Sequence, residues 1–327
     1  MDKKNYKIWC NNSFNSAQSA ERELLKCGTG KHELYLFEPD ENGSSGESKR
    51  VLLESGIAFG LPDADTLLNC KNLRWVQINS AGYADYDCED LKRHFKKNGI
   101  ILTNSSAVYD EPCAEHLLAM ILSFARALPF AHDAQRQDQS WQKQKLQPKL
   151  QLLAGQTALI LGFGAIGRRL AESLKPLKMN LIGIKRTVRG DEPIRVFAES
   201  QVDQLLPEAN HIINILPANN GTFKFLNAER LGMLKSGAFI YNIGRGSTID
   251  QKALIEELKS GRIAGAYLDV TDPEPLPPEN PLWQVPNCFI TPHIAGGYMG
   301  EKAAQVNHFV NNLRYFEDCE NLTDQIL

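Results

Sequence analysis

Short apolar runs alternate along the chain with longer amphipathic segments, and this alternation predicts strands separated by helices. Strands alternating with helices are typical of an α/β fold with parallel sheets. In the first third of the chain, the pattern predicts strands at Tyr6–Cys10, Glu33–Phe37, Gly56–Phe59, Arg74–Ile78 and Ile100–Thr103, and helices at Ala17–Lys26, Ala64–Asn69 and Asp87–Lys96.

Beyond these elements, the pattern divides the rest of the chain into loops, helices and a second strand–helix series. The Gly/Ser-rich stretch 40–48 predicts a mobile surface loop. A long amphipathic helix is predicted from Glu111, with Pro112 in its first turn. A Gln/Lys-rich connector at 135–151 leads into a second series from about 157 to 291, and a final helix at Glu301–Phe316 is predicted to return to the first domain.

Composition narrows the class of protein. A length of 327 residues predicts two domains, since domains usually have about 100–200 residues. The net charge of -3, without a block of like charges, argues against nucleic acid or a membrane surface as a partner. The absence of a long apolar run or a secretory segment, with seven dispersed cysteines and no metal-ligand cluster, predicts a soluble cytoplasmic protein with reduced thiols and no metal.

A glycine-rich turn between a strand and a helix carries the first chemical signal. The apolar run 158–161 precedes a G-x-G-x-x-G motif, a helix follows, and a second apolar strand lies at 180–184. In this context the glycines permit a tight turn and close approach of a pyrophosphate to the helix N-terminus. The alternative is a purely structural turn. The motif therefore predicts dinucleotide binding by Gly162, Phe163, Gly164, Ala165, Ile166 and Gly167.

The end of the second strand indicates which dinucleotide is bound. NAD sites usually carry an acidic residue there, which accepts hydrogen bonds from the ribose hydroxyl. This chain instead has Lys185, Arg186 and Thr187. Basic side chains can bind a 2′-phosphate, so NADP(H) is favoured and NAD(H) remains possible. The alternative is a solvated basic turn without a ligand.

Three later segments place reactive side chains after apolar strands, at 239–246, 264–276 and 288–297. Together with the glycine motif they resemble the D-isomer-specific 2-hydroxyacid dehydrogenases, in particular the glyoxylate/hydroxypyruvate reductase-like members. The resemblance rests on N-x-x-R-G-x-x-x-D from Asn242, L-D-V…E-P from Leu268 and T-P-H-x-x-G from Thr291, and it covers the chain from about Asn79.

The resemblance implies roles for individual residues. The catalytic set would be Arg245, Glu274 and His293, and Asp269 would contact the nicotinamide. The expected substrate-binding residues are Asn79, Ser80, Ala81 and Gly82 with Arg245, and the other expected cofactor-binding residues are Leu216, Pro217, Ile243, Gly244 and His293.

The chemistry of these side chains agrees with those roles. Reduction of a ketone needs a proton on the developing alkoxide, which a protonated His293 can supply. A carboxylate such as Glu274 favours the charged ring and fixes its tautomer. The guanidinium of Arg245 can bind the substrate carboxylate and polarise the neighbouring carbonyl. Taken singly, each residue is more often structural.

Two other polar residues have structural interpretations. His116, in the long helix, is predicted to be packed or at a subunit contact rather than catalytic. Asp250 is predicted to cap the helix that begins near Gln251.

The resemblance implies two doubly wound parallel-sheet domains. A Rossmann-type cofactor domain at 108–294 is inserted into a flavodoxin-like substrate domain at 1–107 and 295–327. A homodimer built through the helix at 111–127 is expected. The predicted activity is reduction of a small 2-keto acid to the 2-hydroxy acid. The alternatives are a dinucleotide-sensing regulatory protein of the same fold and an NAD-dependent phosphoglycerate-type dehydrogenase.

Overall fold

The computed structural model describes residues 4–12 and 19–327, which form two compact units. The first unit comprises the chain up to Tyr109 together with residues 298–327, and the second comprises residues 110–297. Ala17 and Gln18, the start of the first predicted helix, lie outside the described residues.

The first unit is a parallel sheet with helices between its strands. Its strand order is β2-β1-β3-β4-β5, which is the flavodoxin-like order, as predicted. The strands are β1 (Lys7–Asn11), β2 (Glu33–Phe37), β3 (Ile57–Gly60), β4 (Trp75–Ile78) and β5 (Ile101–Thr103), and the helices are α1 (Ala20–Thr29), α2 (Gly46–Glu54), α3 (Ala64–Leu67), α4 (Glu89–Asn98) and the final helix α12 (Glu301–Glu317).

The final helix belongs to the core of this unit, as predicted. Phe309 stacks on Trp75 with ring centroids 5.1 Å apart and on Phe59 at 4.2 Å. All three side chains are fully buried. Large aromatic side chains contribute much of the apolar area that a core buries, so α12 is an integral part of the first unit.

The predicted mobile loop at 40–48 is wrong in its last third, because α2 begins at Gly46. The reason is the buried Ser48, whose hydroxyl donates to the Glu41 carbonyl at 2.8 Å and accepts from Trp9 Nε1 at 3.0 Å. The bond from Trp9 joins residues 39 positions apart, so local composition could not indicate it.

The second unit is a larger parallel sheet of the Rossmann type, again as predicted. Its order is β12-β11-β10-β9-β6-β7-β8, and the order reverses between β6 and β9. Ligands bind beyond the carboxyl ends of strands at such a reversal. The strands are β6 (Thr157–Leu161), β7 (Asn180–Lys185), β8 (Arg195–Ala198), β9 (His211–Asn214), β10 (Ala238–Asn242), β11 (Ile263–Leu268) and β12 (Cys288–Ile290).

Helix α5 (Ser106–Ala125) begins in the first unit and continues into the second, where its last residues pack against the sheet. The Phe124 ring lies 5.0 Å from that of Phe239 and 5.6 Å from that of Phe289. The predicted polar connector is partly helical. The remaining α-helices are α6 (Leu128–Asp133), α7 (Lys143–Leu146), α8 (Ala165–Leu174), α9 (Val202–Leu205), α10 (Ala228–Met233) and α11 (Gln251–Lys259).

The predicted start of α5 is wrong by five residues, so Pro112 lies inside the helix rather than in its first turn. Acceptors upstream explain the earlier start. The Asn104 side-chain oxygen accepts from Ser106 N at 3.2 Å, and the Asp324 carboxylate accepts from Ala107 N at 2.7 Å. These bonds satisfy N–H groups that a helix leaves without partners at its first turn.

Within the described residues, no single helix is both long and apolar enough to cross a membrane. Helix α5 passes that test only when combined with residues 128–137, and this pair is bent by 67°.

Candidate active site

The glycine-rich turn joins β6 to α8 at the reversal point of the second sheet. Gly162 has a φ of +95°, a conformation that glycine adopts without the steric cost of a side chain. The N–H groups of Gly162 and Phe163 bind the Ile184 carbonyl at 3.1 and 2.9 Å, which fixes the turn against β7. Gly164 is the N-cap of α8, with Ala165, Ile166 and Gly167 in its first turn. The first N–H groups of a helix lack partners within it and favour a phosphate.

The basic loop, residues 185–190, follows at the end of β7. Lys185 is the last residue of the strand, and Arg186 and Thr187 are exposed. Within residues 4–12 and 19–327, neither Lys185 nor Arg186 forms an ion pair. The Glu192 carboxylate accepts from the N–H groups of Arg189 and Gly190, both at 2.8 Å, and these bonds lower the pKa of Glu192. The loop is therefore closed at its base, while Arg186 and Arg189 face solvent and Lys185 is half-buried.

Buried asparagines organise the strand ends that carry the other predicted cofactor-binding residues. Asn214 Nδ2 donates to Asn242 Oδ1 at 3.0 Å, which links the ends of β9 and β10. Asn214 also binds the backbone of the two predicted segments, through Leu216 N at 3.4 Å and Ile243 N at 3.2 Å. Pro217 follows Leu216 directly. The sequence analysis did not identify Asn214; its signal was a polar residue at the end of an apolar run.

Arg245 follows Asn242 at the end of β10. The Arg245 carbonyl accepts from Asn242 Nδ2 at 3.1 Å and from Thr248 Oγ1 at 2.6 Å. The Asn242 side-chain oxygen accepts from Gly244 N at 3.0 Å. Both Asn242 and Thr248 are buried, so the Arg245 backbone is fixed while its guanidinium remains partly exposed. Nη1 donates to the Gly244 carbonyl at 2.7 Å, which leaves the other guanidinium donors for a ligand.

Gly246 brings the Arg245 segment against the segment that carries Glu274. A Cβ atom at position 246 would lie 1.9 Å from the Thr271 carbonyl oxygen, far inside van der Waals contact. Thr271 N in turn donates to Glu274 Oε1 at 3.0 Å. The close backbone contact and this hydrogen bond place the arginine and glutamate segments side by side in the second unit.

Glu274 and His293 form the pair that the sequence motifs predict. Glu274 Oε2 lies 2.9 Å from His293 Nδ1, and the side chains are 38% and 51% exposed. A carboxylate accepts hydrogen bonds, so Nδ1 carries a proton and Nε2 is the nitrogen that remains for a substrate. Beside the pair is a cavity of about 540 Å³ whose walls include Leu276, Trp283 and Ile290.

The histidine turn, residues 291–295, is held by Asp269. The Asp269 carboxylate is buried and accepts from Thr291 Oγ1 at 2.6 Å, Ile294 N at 2.9 Å and Ala295 N at 2.9 Å. His293 N donates to the Asp269 carbonyl at 2.9 Å. His293 has a φ of +53°, a conformation that is costly for a side chain and persists where surrounding bonds impose it. Asp269 thus fixes the orientation of His293.

His116 lies beside this network. Its Nε2 is 3.3 Å from Thr291 Oγ1 and 3.8 Å from Asp269 Oδ1. The Thr291 proton is donated to Asp269, so His116 Nε2 carries the proton that joins it to Thr291. Burial lowers the pKa of His116 and so favours the neutral ring, against the opposing effect of the Asp269 carboxylate. His116 was predicted to be packed or at a subunit contact; it is half-buried, and its position next to the histidine turn was not foreseen. Asp250 caps α11 as predicted, accepting from Ala253 N at 3.3 Å.

The substrate loop, residues 79–82, lies in the first unit at the carboxyl end of β4. The carbonyl oxygens of its four residues all accept hydrogen bonds from side chains or backbone of the same unit. In contrast, the N–H groups of Ser80, Ala81 and Gly82 have no acceptor among the described residues. Three consecutive unpaired donors can bind a carboxylate.

Other reactive groups are not arranged for chemistry in the described part of the chain. It contains no group of three or more His, Cys, Asp or Glu side chains suited to a metal ion. Burial raises the pKa of the Cys113 thiol to about 12 and that of Cys288 to about 12, so both remain protonated near neutral pH.

Comparison with known proteins agrees with the fold and motifs. The family model for the D-isomer specific 2-hydroxyacid dehydrogenase NAD-binding domain matches residues 118–295. A glyoxylate reductase from Pyrococcus furiosus is 33% identical over 264 residues, covering 79% of this chain and 77% of that protein.

Solved structures show the same similarity over nearly the whole chain. A D-isomer specific 2-hydroxyacid dehydrogenase from Xanthobacter autotrophicus, in complex with NADPH and MES, has a TM-score of 0.80 at 26% identity and covers 99% of this chain and 98% of its own. An NADPH-dependent glyoxylate/hydroxypyruvate reductase from Sinorhizobium meliloti, in complex with NADP and malonate, has a TM-score of 0.76 at 25% identity and covers 99% and 97%.

The second unit is thus a nicotinamide dinucleotide-binding domain, and the chain belongs to the D-isomer specific 2-hydroxyacid dehydrogenase family. It is an oxidoreductase that acts on the CH–OH group of a small 2-hydroxy acid, or on the corresponding 2-keto acid, with a nicotinamide dinucleotide as cofactor. The predicted family and class of enzyme are confirmed.

Proposed function

We propose that the protein reduces glyoxylate-like and hydroxypyruvate-like 2-keto acids with NADPH, and that Arg245, Glu274 and His293 are its catalytic residues. The observation that carries the proposal is the 2.9 Å hydrogen bond between His293 Nδ1 and Glu274 Oε2. It leaves Nε2 of a partly exposed imidazole as a proton donor.

In this proposal His293 supplies the proton that the reduction requires. The nicotinamide, when bound, supplies the hydride to the keto carbon. His293 Nε2 donates a proton to the carbonyl oxygen as negative charge develops there. Glu274 holds the proton on Nδ1 and stabilises the charged ring. In the reverse direction, the neutral imidazole accepts the hydroxyl proton.

Recognition of the 2-keto acid is assigned to charged and backbone donors. The backbone of Arg245 is fixed by hydrogen bonds from Asn242 and Thr248. Its planar guanidinium suits a carboxylate and can polarise the adjacent carbonyl of the substrate. We also assign a carboxylate to the substrate loop, whose Ser80, Ala81 and Gly82 N–H groups have no acceptor among the described residues.

The proposed preference for NADPH rests on the basic loop. Within the described residues, neither the half-buried Lys185 nor the exposed Arg186 forms an ion pair, so both are available for a 2′-phosphate. The relatives from Xanthobacter autotrophicus and Sinorhizobium meliloti were solved with NADPH or NADP. The glycine turn and the N-terminus of α8 fit the pyrophosphate.

The substrate loop favours an unphosphorylated acid. Residues 79–85 contain no lysine or arginine, and Asp85 adds a negative charge. A phosphorylated substrate would need cationic partners there. A phosphoglycerate-type activity is therefore disfavoured.

Initial rates test the proposal. Oxidation of NADPH and of NADH is followed separately with glyoxylate, hydroxypyruvate, pyruvate and phenylpyruvate. We expect faster oxidation of NADPH with glyoxylate or hydroxypyruvate. A preference for NADH would overturn the cofactor assignment alone. Turnover of pyruvate or phenylpyruvate but of neither glyoxylate nor hydroxypyruvate would overturn the substrate assignment.

We also propose a homodimer formed by the second unit. Several apolar side chains near α5 and the following segment face solvent, among them Leu128 at 55%, Trp141 at 93% and Leu152 at 77% exposed. Large apolar side chains that face solvent within one segment of the chain favour a protein contact. Light scattering coupled to size-exclusion chromatography should give twice the 36.5 kDa chain mass, and a monomer would contradict the proposal.

A further inference from the structure

The carbonyl groups of the substrate loop are held by residues of the segment that follows β5. Asn104 Nδ2 donates to the Ala81 carbonyl at 2.7 Å, and Ser105 N donates to the Ser80 carbonyl at 3.0 Å. The Tyr109 hydroxyl lies 2.9 Å from the Asn79 carbonyl. Strands β4 and β5 are neighbours in the sheet, so the two strand exits run side by side.

We infer that Asn104 and Tyr109 are positioning residues that fix the carbonyl groups of the substrate loop. They thereby direct toward a carboxylate the three N–H groups that have no acceptor among the described residues. The inference rests on the proposed function, which assigns a carboxylate to this loop. A peptide carbonyl and the next N–H point in opposite directions because the peptide is planar, so fixing the carbonyl groups fixes the donors.

Asn104 is held in place by hydrogen bonds of both its side chain and its backbone. It is buried, and its side-chain oxygen accepts from Ser106 N at 3.2 Å while its amide nitrogen serves Ala81. Its own backbone N–H donates to the Asp324 carbonyl at 3.0 Å. Both ends of the side-chain amide are therefore used, and the nitrogen is directed at the loop.

Tyr109 is held by two residues of α12. Gln305 Nε2 donates to the Tyr109 hydroxyl at 2.7 Å, and Glu301 Oε1 lies 2.9 Å from it. The phenol has one proton, so the Asn79 carbonyl and the Glu301 carboxylate are alternative acceptors for it. Burial, followed by the charge of Glu301, raises the pKa of Tyr109 far above neutral, so the proton is retained and Tyr109 remains a donor.

The test combines two variants with matched controls. Asn104→Ala removes the donor to Ala81, and Tyr109→Phe removes the donor to Asn79. The control for the first is Asn312→Ala, since Asn312 is equally buried in the same unit but binds Thr323 and Gln77. The control for the second is Tyr86→Phe, because the buried Tyr86 hydroxyl donates to the Pro62 carbonyl at 2.8 Å.

We expect each test variant to raise the KM for glyoxylate and the inhibition constant of oxamate about tenfold, the usual effect of one buried hydrogen bond lost from a binding site. The value of kcat and the Kd for NADPH should change little, because the loop binds the carboxylate equally in the ground and transition states. The controls should leave the KM unchanged. Equal KM values in test and control variants would overturn the inference even if the enzyme reduces glyoxylate.

A second measurement does not depend on turnover. Amide ¹⁵N relaxation of Ser80, Ala81 and Gly82 in the full chain should show lower order parameters in Asn104→Ala and Tyr109→Phe than in the wild type and the controls. Unchanged order parameters would overturn the positioning role. Failure of the wild type to reduce any keto acid would instead count against the proposed function.

Discussion

The histidine turn and the basic loop both follow parallel strands of the second unit, but they are held very differently. Asp269 binds the histidine turn through three hydrogen bonds to its carboxylate and one to its carbonyl. In the basic loop, Lys185 ends β7, and beyond it the Glu192 carboxylate binds the backbone of Arg189 and Gly190. Lys185 and Arg186 form no ion pairs among the described residues.

The difference matches the roles that we propose for the two segments, which are proton transfer by His293 and phosphate binding by the basic loop. Proton transfer requires the donor nitrogen within hydrogen-bond distance and at the correct angle, so the residue that carries it must be fixed. A phosphate can be bound by flexible cationic side chains, because charge attraction depends weakly on angle. The strongly hydrogen-bonded turn is therefore the one where we expect precise geometry to matter. The weakly held loop is the one where we expect charge to matter.

The largest effect is expected from His293→Gln. Loss of the proton donor should lower kcat by a factor of about 10² to 10⁴, the usual contribution of general acid catalysis. The Kd for NADPH, measured by fluorescence titration, should stay within threefold or so of the wild type, since the variant leaves the glycine turn intact. A kcat within tenfold of the wild type would show that another group delivers the proton.

A smaller loss is expected from Asp269→Ala, which frees the histidine turn without removing His293. Displacement of a catalytic group by about 1 Å can cost up to a hundredfold in rate, so we expect a loss of kcat in that range. Three donors also lose their acceptor, and the free energy of unfolding should fall by about 2–4 kcal/mol. Urea unfolding and steady-state kinetics measure the two effects; unchanged kcat in a destabilised variant would mean that the turn keeps its geometry unaided.

The basic loop should respond selectively to the double variant Lys185→Ala/Arg186→Ala. Removal of two charged partners of the 2′-phosphate should raise the KM for NADPH about ten- to a hundredfold. The KM for NADH is the internal control and should not rise, because NADH lacks that phosphate. Equal increases for both cofactors would instead place these side chains against a part that the two dinucleotides share.

The smallest effect is expected from Thr291→Val. This change keeps the shape of the side chain but removes the proton given to Asp269 and the acceptor for His116. One hydrogen bond of three to the carboxylate is lost, so kcat should fall about two- to fivefold. The same change at Thr157, a half-buried threonine at the start of β6, is the matched control for kcat. A loss as large as that of Asp269→Ala would show that the hydroxyl alone fixes the turn.

Much of this organisation could be predicted from local sequence. The strands, the glycine turn and the pairing of Glu274 with His293 lie in short motifs whose spacing reflects strand ends. The residues that hold these motifs were not predictable in the same way. Asn214 bonds to Asn242 and Thr248, 28 and 34 residues away, and His116 contacts Thr291, 175 residues away. Such contacts leave no local periodicity.

The same limit explains the errors at helix starts. Helix α5 begins at Ser106 because Asn104 and Asp324 accept bonds from its first N–H groups, and Asp324 is 217 residues away along the chain. A proline at the expected first turn was the local signal that the prediction used, and the nearby acceptor Asn104 together with the distant acceptor Asp324 outweighed it.

The unpaired donors of the substrate loop belong to the main chain, and this has a consequence for how new specificity can arise. A main-chain N–H is present whatever side chain occupies the position, except for proline. The side chain of Ala81 can therefore be exchanged without deleting a donor for the acid group. Under the proposed function, mutations that change the side chain at position 81 can alter which substituent of the keto acid is accepted. The carboxylate, which all these substrates share, is still recognised by the main chain.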